Sequence, residues 1–381
     1  MFQCSDGVLA APFLEGSAVY DLLTDQVMFV SALAAWVLRR VPADLDQLVA
    51  EVAESTSEPP ELVAEDIHRG VRLLCAAGLL NRPGVWVGPT PVSGRPLAET
   101  PGTGQRYLST TQAVIDHRLA FRSADRGLLA EIERSLKTTA VPHSPTVVFD
   151  AEPTAGGGVL LNAAEEWDFP TRAGFFLQLS GVVNDFAARS SQPLIFHAGA
   201  VRTPGREVIL LPGNPEAGKS TITAALLRAG CDYLGDELIG VREGSHRAVG
   251  FPRALQLDAT SRSVVGLGSS GFDTDGEVPV HPRSIRPDVE SLFGDVGPVA
   301  AIVMPEYAPD ARLAETRMEP PVGLRRLLPS VTNLHRCGPS GWQTFCELVE
   351  TVPVWGLTHS NANEAALRVL AGVGQRASRT V

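Results

Sequence analysis

The stretch Ile209-Leu210-Leu211-Pro212-Gly213-Asn214-Pro215-Glu216-Ala217-Gly218-Lys219-Ser220-Thr221 passes from an apolar run directly into G-x-x-x-x-G-K-[ST]. That spacing is the signature of a phosphate-binding loop. Its glycines let the backbone curl around a polyphosphate and aim N–H groups inward, its lysine supplies a point charge, and its hydroxyl supplies a ligand for Mg²⁺. The flanks agree with this reading. Val208 to Leu211 reads as a buried strand, and Thr221 to Ala229 reads as the helix that follows it, closed by Gly230. The residues from Gly213 to Thr221, with Lys219 and Ser220 at their centre, are therefore the expected nucleotide contacts. One residue departs from the pattern's logic: Glu216 puts a carboxylate inside the loop, where a phosphate repels it unless it turns outward or meets a cation.

Working outward, 381 residues exceed one ordinary core, so two domains are expected, and 44% hydrophobic content is enough to fill them. No apolar run approaches a membrane span, and the first residues lack the basic start and apolar core of a signal peptide. A cytoplasmic protein with no membrane contact is the expectation. Five cysteines without C-x-x-C spacing suit reduced thiols better than disulfides or zinc. A net charge of −11, with no basic run interleaved with aromatics, argues against a nucleic-acid partner.

Residues 1–87 read as a module of their own. Ala18 to Leu23 and Gln26 to Val30 alternate as two strands of a hairpin, and Ser31 is placed to cap a helix carrying Leu33, Trp36 and Val37. A second helix follows Asp44. A third starts at Pro60 and closes at Gly78. The pattern Asp25-Gln26-Val27-Met28-Phe29-Val30-Ser31, the Trp36 helix, Asp66-Ile67 and Ala77-Gly78-Leu79-Leu80 resemble the PqqD family of peptide chaperones and the related leader-peptide recognition elements. The resemblance implies a small winged-helix-like α+β domain that binds a leader peptide by adding it as a strand. A winged-helix domain for docking or dimerisation is the alternative, and it would make the protein a homo-oligomer. Glu61, Glu65 and Asp66 on the third helix disfavour DNA.

Residues 88–105, rich in proline and glycine, read as a linker, and residues 106–381 as the second domain. Two features flank the phosphate loop there. Upstream, His197 lies in the apolar strand Pro193 to Val201; downstream, Asp236 and Glu237 end the strand Asp232 to Leu234. A histidine in an H-[AG]-[GA] strand, the loop, a short helix and a strand ending in two acids together resemble the catalytic domain of HPr kinase/phosphorylase and its relatives, which in turn resemble phosphoenolpyruvate carboxykinase. The segments Phe251-Pro252-Arg253 and Val352 to Thr358 extend the resemblance. It implies an α/β P-loop kinase domain using ATP and Mg²⁺, with Lys219 on the β- and γ-phosphates, Ser220 and Asp236 at the metal, Asp236 also as the base, His197 beside the transferred phosphate, and Arg253 as a further phosphate contact. Glu237 stands where the family has a second Asp, and no Glu-x-Arg-Gly follows, which leaves the second metal ligand and a reverse phosphorylase activity open.

Other constellations read as ordinary structure. Asp273, Asp275 and Glu277 lack the spacing of a calcium loop, and no nucleophile elbow precedes Thr358-His359-Ser360-Asn361. The expected function is phosphorylation of a Ser or Thr hydroxyl, on a ribosomally made precursor peptide held through its leader. The alternatives are a kinase of free serine or another small hydroxyl metabolite, and a nucleotide-gated binding protein that transfers nothing.

Overall fold

Alternation of buried and exposed residues along Val8–Phe13 (VLAAPF) makes this segment a strand as well, in front of the two expected. It pairs antiparallel with Gly16–Asp21, which pairs antiparallel with Gln26–Val30, so the N-terminal sheet has three strands and not a bare hairpin. Gly16 is required where the chain reverses, because a Cβ there would stand 2.1 Å from the Val30 carbonyl oxygen. The computed structural model describes residues 4–5, 7–22, 24–56, 58–77, 79–80, 105–136, 141, 143–161, 166–190, 193–213, 216–268 and 277–377. Gly78, most of the expected linker, Asn214 and Pro215 of the loop, and Asp273 and Asp275 lie outside the described residues.

The helices start where capping chemistry places them. Ser31 accepts a hydrogen bond from the Ala34 N–H at the head of Ala32–Arg40, Asp44 accepts from the Gln47 N–H ahead of Leu45–Thr56, and Pro60 opens Pro60–Ala76. Leu48, Val52, Val63, Ile67, Val71 and Leu74 recur at helical spacing and close a core over Val19 and Val37.

The chain divides into two compact units, and the first is not confined to the N-terminal stretch. It takes in residues 320–326 and 334–351, which the sequence reading assigned to the domain 106–381. The helix Leu334–Thr351 is interrupted at Gly338 (φ 60°, ψ −145°), immediately before Pro339, whose ring and missing N–H cannot continue a helix. Its Trp342 is fully buried, donates from Nε1 to the Ala18 carbonyl at 2.9 Å and stacks on Tyr20 with ring centroids 5.3 Å apart. From the preceding helix, the Arg325 guanidinium lies 4.9 Å from the Phe29 ring. Nothing in the local sequence of 334–351 reveals this membership, because an amphipathic helix does not specify which apolar surface it will cover.

The second unit is mixed α/β. A six-stranded sheet, ordered Tyr107–Leu108, His117–Ser123, Val147–Pro153, Gly158–Leu161, Glu166–Phe169 with Gln112–Val114 beside His117–Ser123, shares a core with the helices Arg126–Leu136 and Arg172–Ala188 through Phe121, Phe149, Phe175 and Phe186. An eight-stranded sheet carries the phosphate loop. Its long strand Gly294–Tyr307 pairs parallel with the loop strand Val208–Pro212 on one side and with Val354–His359 on the other, and antiparallel with Arg247–Gly250. The loop strand also pairs antiparallel with Leu194–Arg202. No described helix is long and apolar enough to cross a membrane.

Trp342→Ala tests the shared composition of the first unit. Deleting a fully buried indole costs about 3–5 kcal/mol. The denaturation midpoint of the N-terminal core, followed by a fluorophore on Cys75, should fall accordingly; an unchanged midpoint would show that residues 334–351 do not support it.

Candidate functional site

The loop strand Val208–Pro212 is buried along its whole length, and the helix Lys219–Arg228 starts immediately after Gly218. Gly218 sits in the left-handed region at φ +85°, a conformation that favours glycine, and serves as the helix N-cap without a side chain. A Cβ on Gly213 would only touch the loop, at 3.4 Å from Ala217 Cβ and 3.5 Å from Lys219 Cγ, so packing alone does not demand glycine there. The helix end presents its unpaired N–H groups at the mouth of a cavity of about 850 Å³.

His197, Glu216, Gly218, Lys219, Ser220, Thr221, Asp236 and Glu237 all line that cavity, so the structure brings together the residues that the sequence reading took from three separate stretches. Gly213 and Ala217 shape the loop without lining the cavity, and Asn214 and Pro215 lie outside the described residues. Arg253 is placed differently. It is buried, donates from Nη1 to Asn184 Oδ1 at 2.7 Å and does not line the cavity, so its geometry supports the packing of the helix Arg172–Ala188 and not a contact in the loop.

Strand pairing sets the positions of the acids and the histidine. Leu194–Arg202 pairs with both Asp232–Gly235 and Leu238–Val241, and the two acids occupy the turn between these partners. His197 Nδ1 lies 3.9 Å from Glu237 Oε2. Asn333, fully buried, anchors the start of the same strand: it accepts from the Ile195 N–H at 2.7 Å and donates to the Ser190 and Pro193 carbonyls, each at 2.9 Å. Gly199 is the residue of this strand that cannot carry a side chain. A Cβ there would stand 2.4 Å from Thr223 Oγ1 and 3.2 Å from Asp236 Oδ1. Sequence reasoning saw Gly199 only as part of a pattern, and it missed Thr223 altogether.

Burial dominates the electrostatics. Asp236 is 4% exposed, and burial pushes its carboxyl up to about 7; Glu237 adds to the rise, while Lys219 and the Ser220 and Thr223 hydroxyls oppose it. Neither Asp236 Oδ1 nor Thr223 Oγ1 makes a hydrogen bond of good geometry, and both are buried. Lys219 is held below the ordinary lysine value by burial, against the opposing pull of Asp236, Glu237 and Glu277. His197 is pushed down by burial and by Lys219, with Glu237 pulling the other way. Lys219 and Asp236 thus face one polar cavity in which their ionised forms are poorly solvated.

A second histidine enters from the strand Val354–His359, and the sequence reading passed over it. His359 is 2% exposed and lines the cavity with Tyr307 and Asn361. Its ring lies edge-on to Tyr307 with centroids 5.8 Å apart. Among the described residues, no three His, Cys, Asp or Glu side chains converge as a metal site.

The ionisation of Asp236 makes a testable statement about stability. With the folded pKa raised to about 7, the native protein holds a proton that the unfolded chain releases at lower pH, so ligand-free stability falls as pH rises through that window. Asp236→Asn cannot ionise and removes the fall. At about 1.36 kcal/mol per pKa unit, its advantage over wild type should grow by about 2–3 kcal/mol between pH 5 and pH 8, since the unfolded carboxyl is already ionised at pH 5. Urea unfolding at the two pH values checks this, and a pH-independent difference would contradict it.

No protein-family profile matches the chain, and no curated protein matches it in sequence. Among solved structures, TbiB1 in complex with the TbiA(beta) leader peptide is similar at 20% identity over 22% of this chain and 99% of that one, with a TM-score of 0.20. The Hpr(Ser) kinase/phosphatase from Coxiella burnetii is similar at 12% identity over 49% of this chain and 99% of that one, with a TM-score of 0.26. These scores lie below the level at which two chains share a fold, so the functional reading rests on this chain's own residues.

Proposed function

We propose that the second unit is a phosphotransferase that moves the terminal phosphoryl group of ATP, with Mg²⁺, to an alcohol hydroxyl. The observation that carries this reading is the buried, proton-accepting carboxylate of Asp236 in the same cavity as the Gly218-Lys219-Ser220 loop. A protein that merely holds a nucleotide has no need of a base there.

The residues fit both groups. A helix N-terminus behind a glycine at φ +85° and a partly desolvated Lys219 suit a polyphosphate. The orphaned Asp236 Oδ1 and the neighbouring Ser220 hydroxyl suit a divalent cation that takes one or two protein oxygens and fills its remaining positions with phosphate oxygens and water, as Mg²⁺ does. Glu237 is the candidate for a further metal contact, from the side of His197. Mg²⁺ when bound supplies charge neutralisation at the phosphates. The chain's own work is then positioning and proton transfer: Lys219 screens the phosphoryl oxygens, Asp236 accepts the proton of the attacking hydroxyl, and His197, 3.9 Å from Glu237, orients the transferred group.

A Ser or Thr of a ribosomally made peptide is the proposed acceptor, its leader held by the first unit. Support comes from the strand Gln26–Val30, which pairs only with Gly16–Asp21 among the described strands and so offers an edge for strand addition. Glu216 gives the nucleotide-gated binder its best support, since it lines the cavity and adopts φ +64°.

Two substitutions test the reading. Lys219→Ala should lose nucleotide affinity and turnover together; calorimetry showing unchanged ATP binding would remove the loop as the nucleotide site. Asp236→Asn should keep ATP binding yet lose at least about two decades of transfer, the scale of general base catalysis. Radiolabel transfer from ATP to Ser- and Thr-containing peptides and to free serine reads it out. Wild-type rates in Asp236→Asn would refute the base, and absence of transfer to every acceptor with ATP bound intact would favour the binder.

A further inference from the structure

His359 is the buried polar group of this cavity that the reading above does not use. It ends the strand Val354–His359, is 2% exposed, and among the described residues neither ring nitrogen has a hydrogen-bond partner. Leaving both nitrogens unpaired in a buried position is costly, on a scale where one orphaned donor or acceptor already rivals a whole hydrogen bond. The ring is aimed at the phosphate loop, for a Cβ on Gly218 would stand 3.4 Å from Nε2 and 3.6 Å from Cε1. The left-handed Gly218 thus has a second reason to lack a side chain: it leaves the imidazole edge open to whatever the loop holds. Register fixes this approach. His359 pairs with Tyr307 across the sheet, and the strand carrying Tyr307 is the one that pairs with the loop strand, so the histidine reaches the loop through two steps of one sheet.

We propose, resting on the nucleotide reading of the same loop, that His359 is a phosphate-binding residue whose Nε2–H donates a hydrogen bond to an oxygen of the polyphosphate cradled at Gly218. The ligand class is a di- or triphosphate, recognised through its phosphate oxygens and not through the nucleoside. Burial holds the ring below the ordinary histidine value, so at neutral pH it is an uncharged imidazole with one donor, which adds direction to the site without adding charge beside Lys219. Neighbouring side chains are already engaged elsewhere. The Ser360 hydroxyl donates to the Ala311 carbonyl, and Asn361 Oδ1 accepts from the Asn363 and Glu364 N–H groups as the cap of the next helix.

The experiment is calorimetry of the full-length protein with Mg·ATP and with magnesium pyrophosphate, comparing wild type, His359→Phe and His359→Gln. Phe keeps a ring of similar size and removes the donor; Gln restores a donor on a flexible stem. A hydrogen bond to a charged group corresponds to about 10-fold or more in affinity. His359→Phe should weaken both probes by that factor, and His359→Gln should recover to within about threefold of wild type. Because Phe removes two orphaned polar atoms, the ligand-free melting temperature should not fall; should it fall, the Gln variant decides. Wild-type affinity in His359→Phe, or Gln as weak as Phe, overturns the assignment while leaving the nucleotide reading standing. A loss for ATP with none for pyrophosphate overturns the phosphate contact in favour of the nucleoside. Failure of wild type to bind either probe removes both proposals.

Discussion

A carboxylate buried beside the Gly218-Lys219-Ser220 loop is the constraint around which the second unit is arranged. Asp236 stays in place because the turn that carries it is held between two strands paired to Leu194–Arg202. That packing in turn requires Gly199 to have no side chain, and it uses Thr223 of the loop helix as the opposite wall. Low solvation raises the Asp236 carboxyl to about 7 and lowers Lys219, so the ligand-free site holds its charges at a cost. A polyphosphate with a divalent cation would relieve both, since the anion meets Lys219 and the helix end while the cation meets Asp236. The same physics that destabilises the empty site tunes it for the group it would take.

The first unit shows the opposite economy. A module of under a hundred residues has little interior, and here the apolar faces of three strands and three helices are completed by a piece of chain that arrives more than two hundred residues later. Trp342 is the anchor of that piece, with its indole N–H satisfied by a strand carbonyl and its rings stacked on Tyr20. Residues 1–87 on their own would expose the surface that Trp342 covers. A truncation at residues 88–105 therefore removes more than the N-terminal strands and helices, because it also strips the partner of the helix Leu334–Thr351.

Local chemistry was legible in the amino-acid order. The strand, loop and helix around Lys219, the caps at Ser31 and Asp44, the proline start at Pro60 and the glycine end at Gly230 (φ +106°) all follow from interactions within a few residues, and the structure has them where that chemistry places them. The strand Val8–Phe13 was missed because its exposed positions, Ala10 and Pro12, are apolar as well, so the sequence shows no alternation with polar residues between the buried Leu9, Ala11 and Phe13.

What the sequence determined by itself was the presence of a G-x-x-x-x-G-K-[ST] loop between a strand and a helix, and of acids and a histidine close to neighbouring strands, because motif spacing and hydrophobic period are properties of a single segment. The tertiary structure alone decided which distant side chains share the cavity. Register across the long strand Gly294–Tyr307 carries His359 to Gly218, whereas the sequence around it, Thr358-His359-Ser360-Asn361, suggested at most a Ser/His pair without a nucleophile elbow. Arg253 is held by Asn184 and does not line the cavity, and burial shifted Asp236 and Lys219. Desolvation is the physical reason for the difference: it depends on everything packed around a group, and that is settled only when remote segments meet.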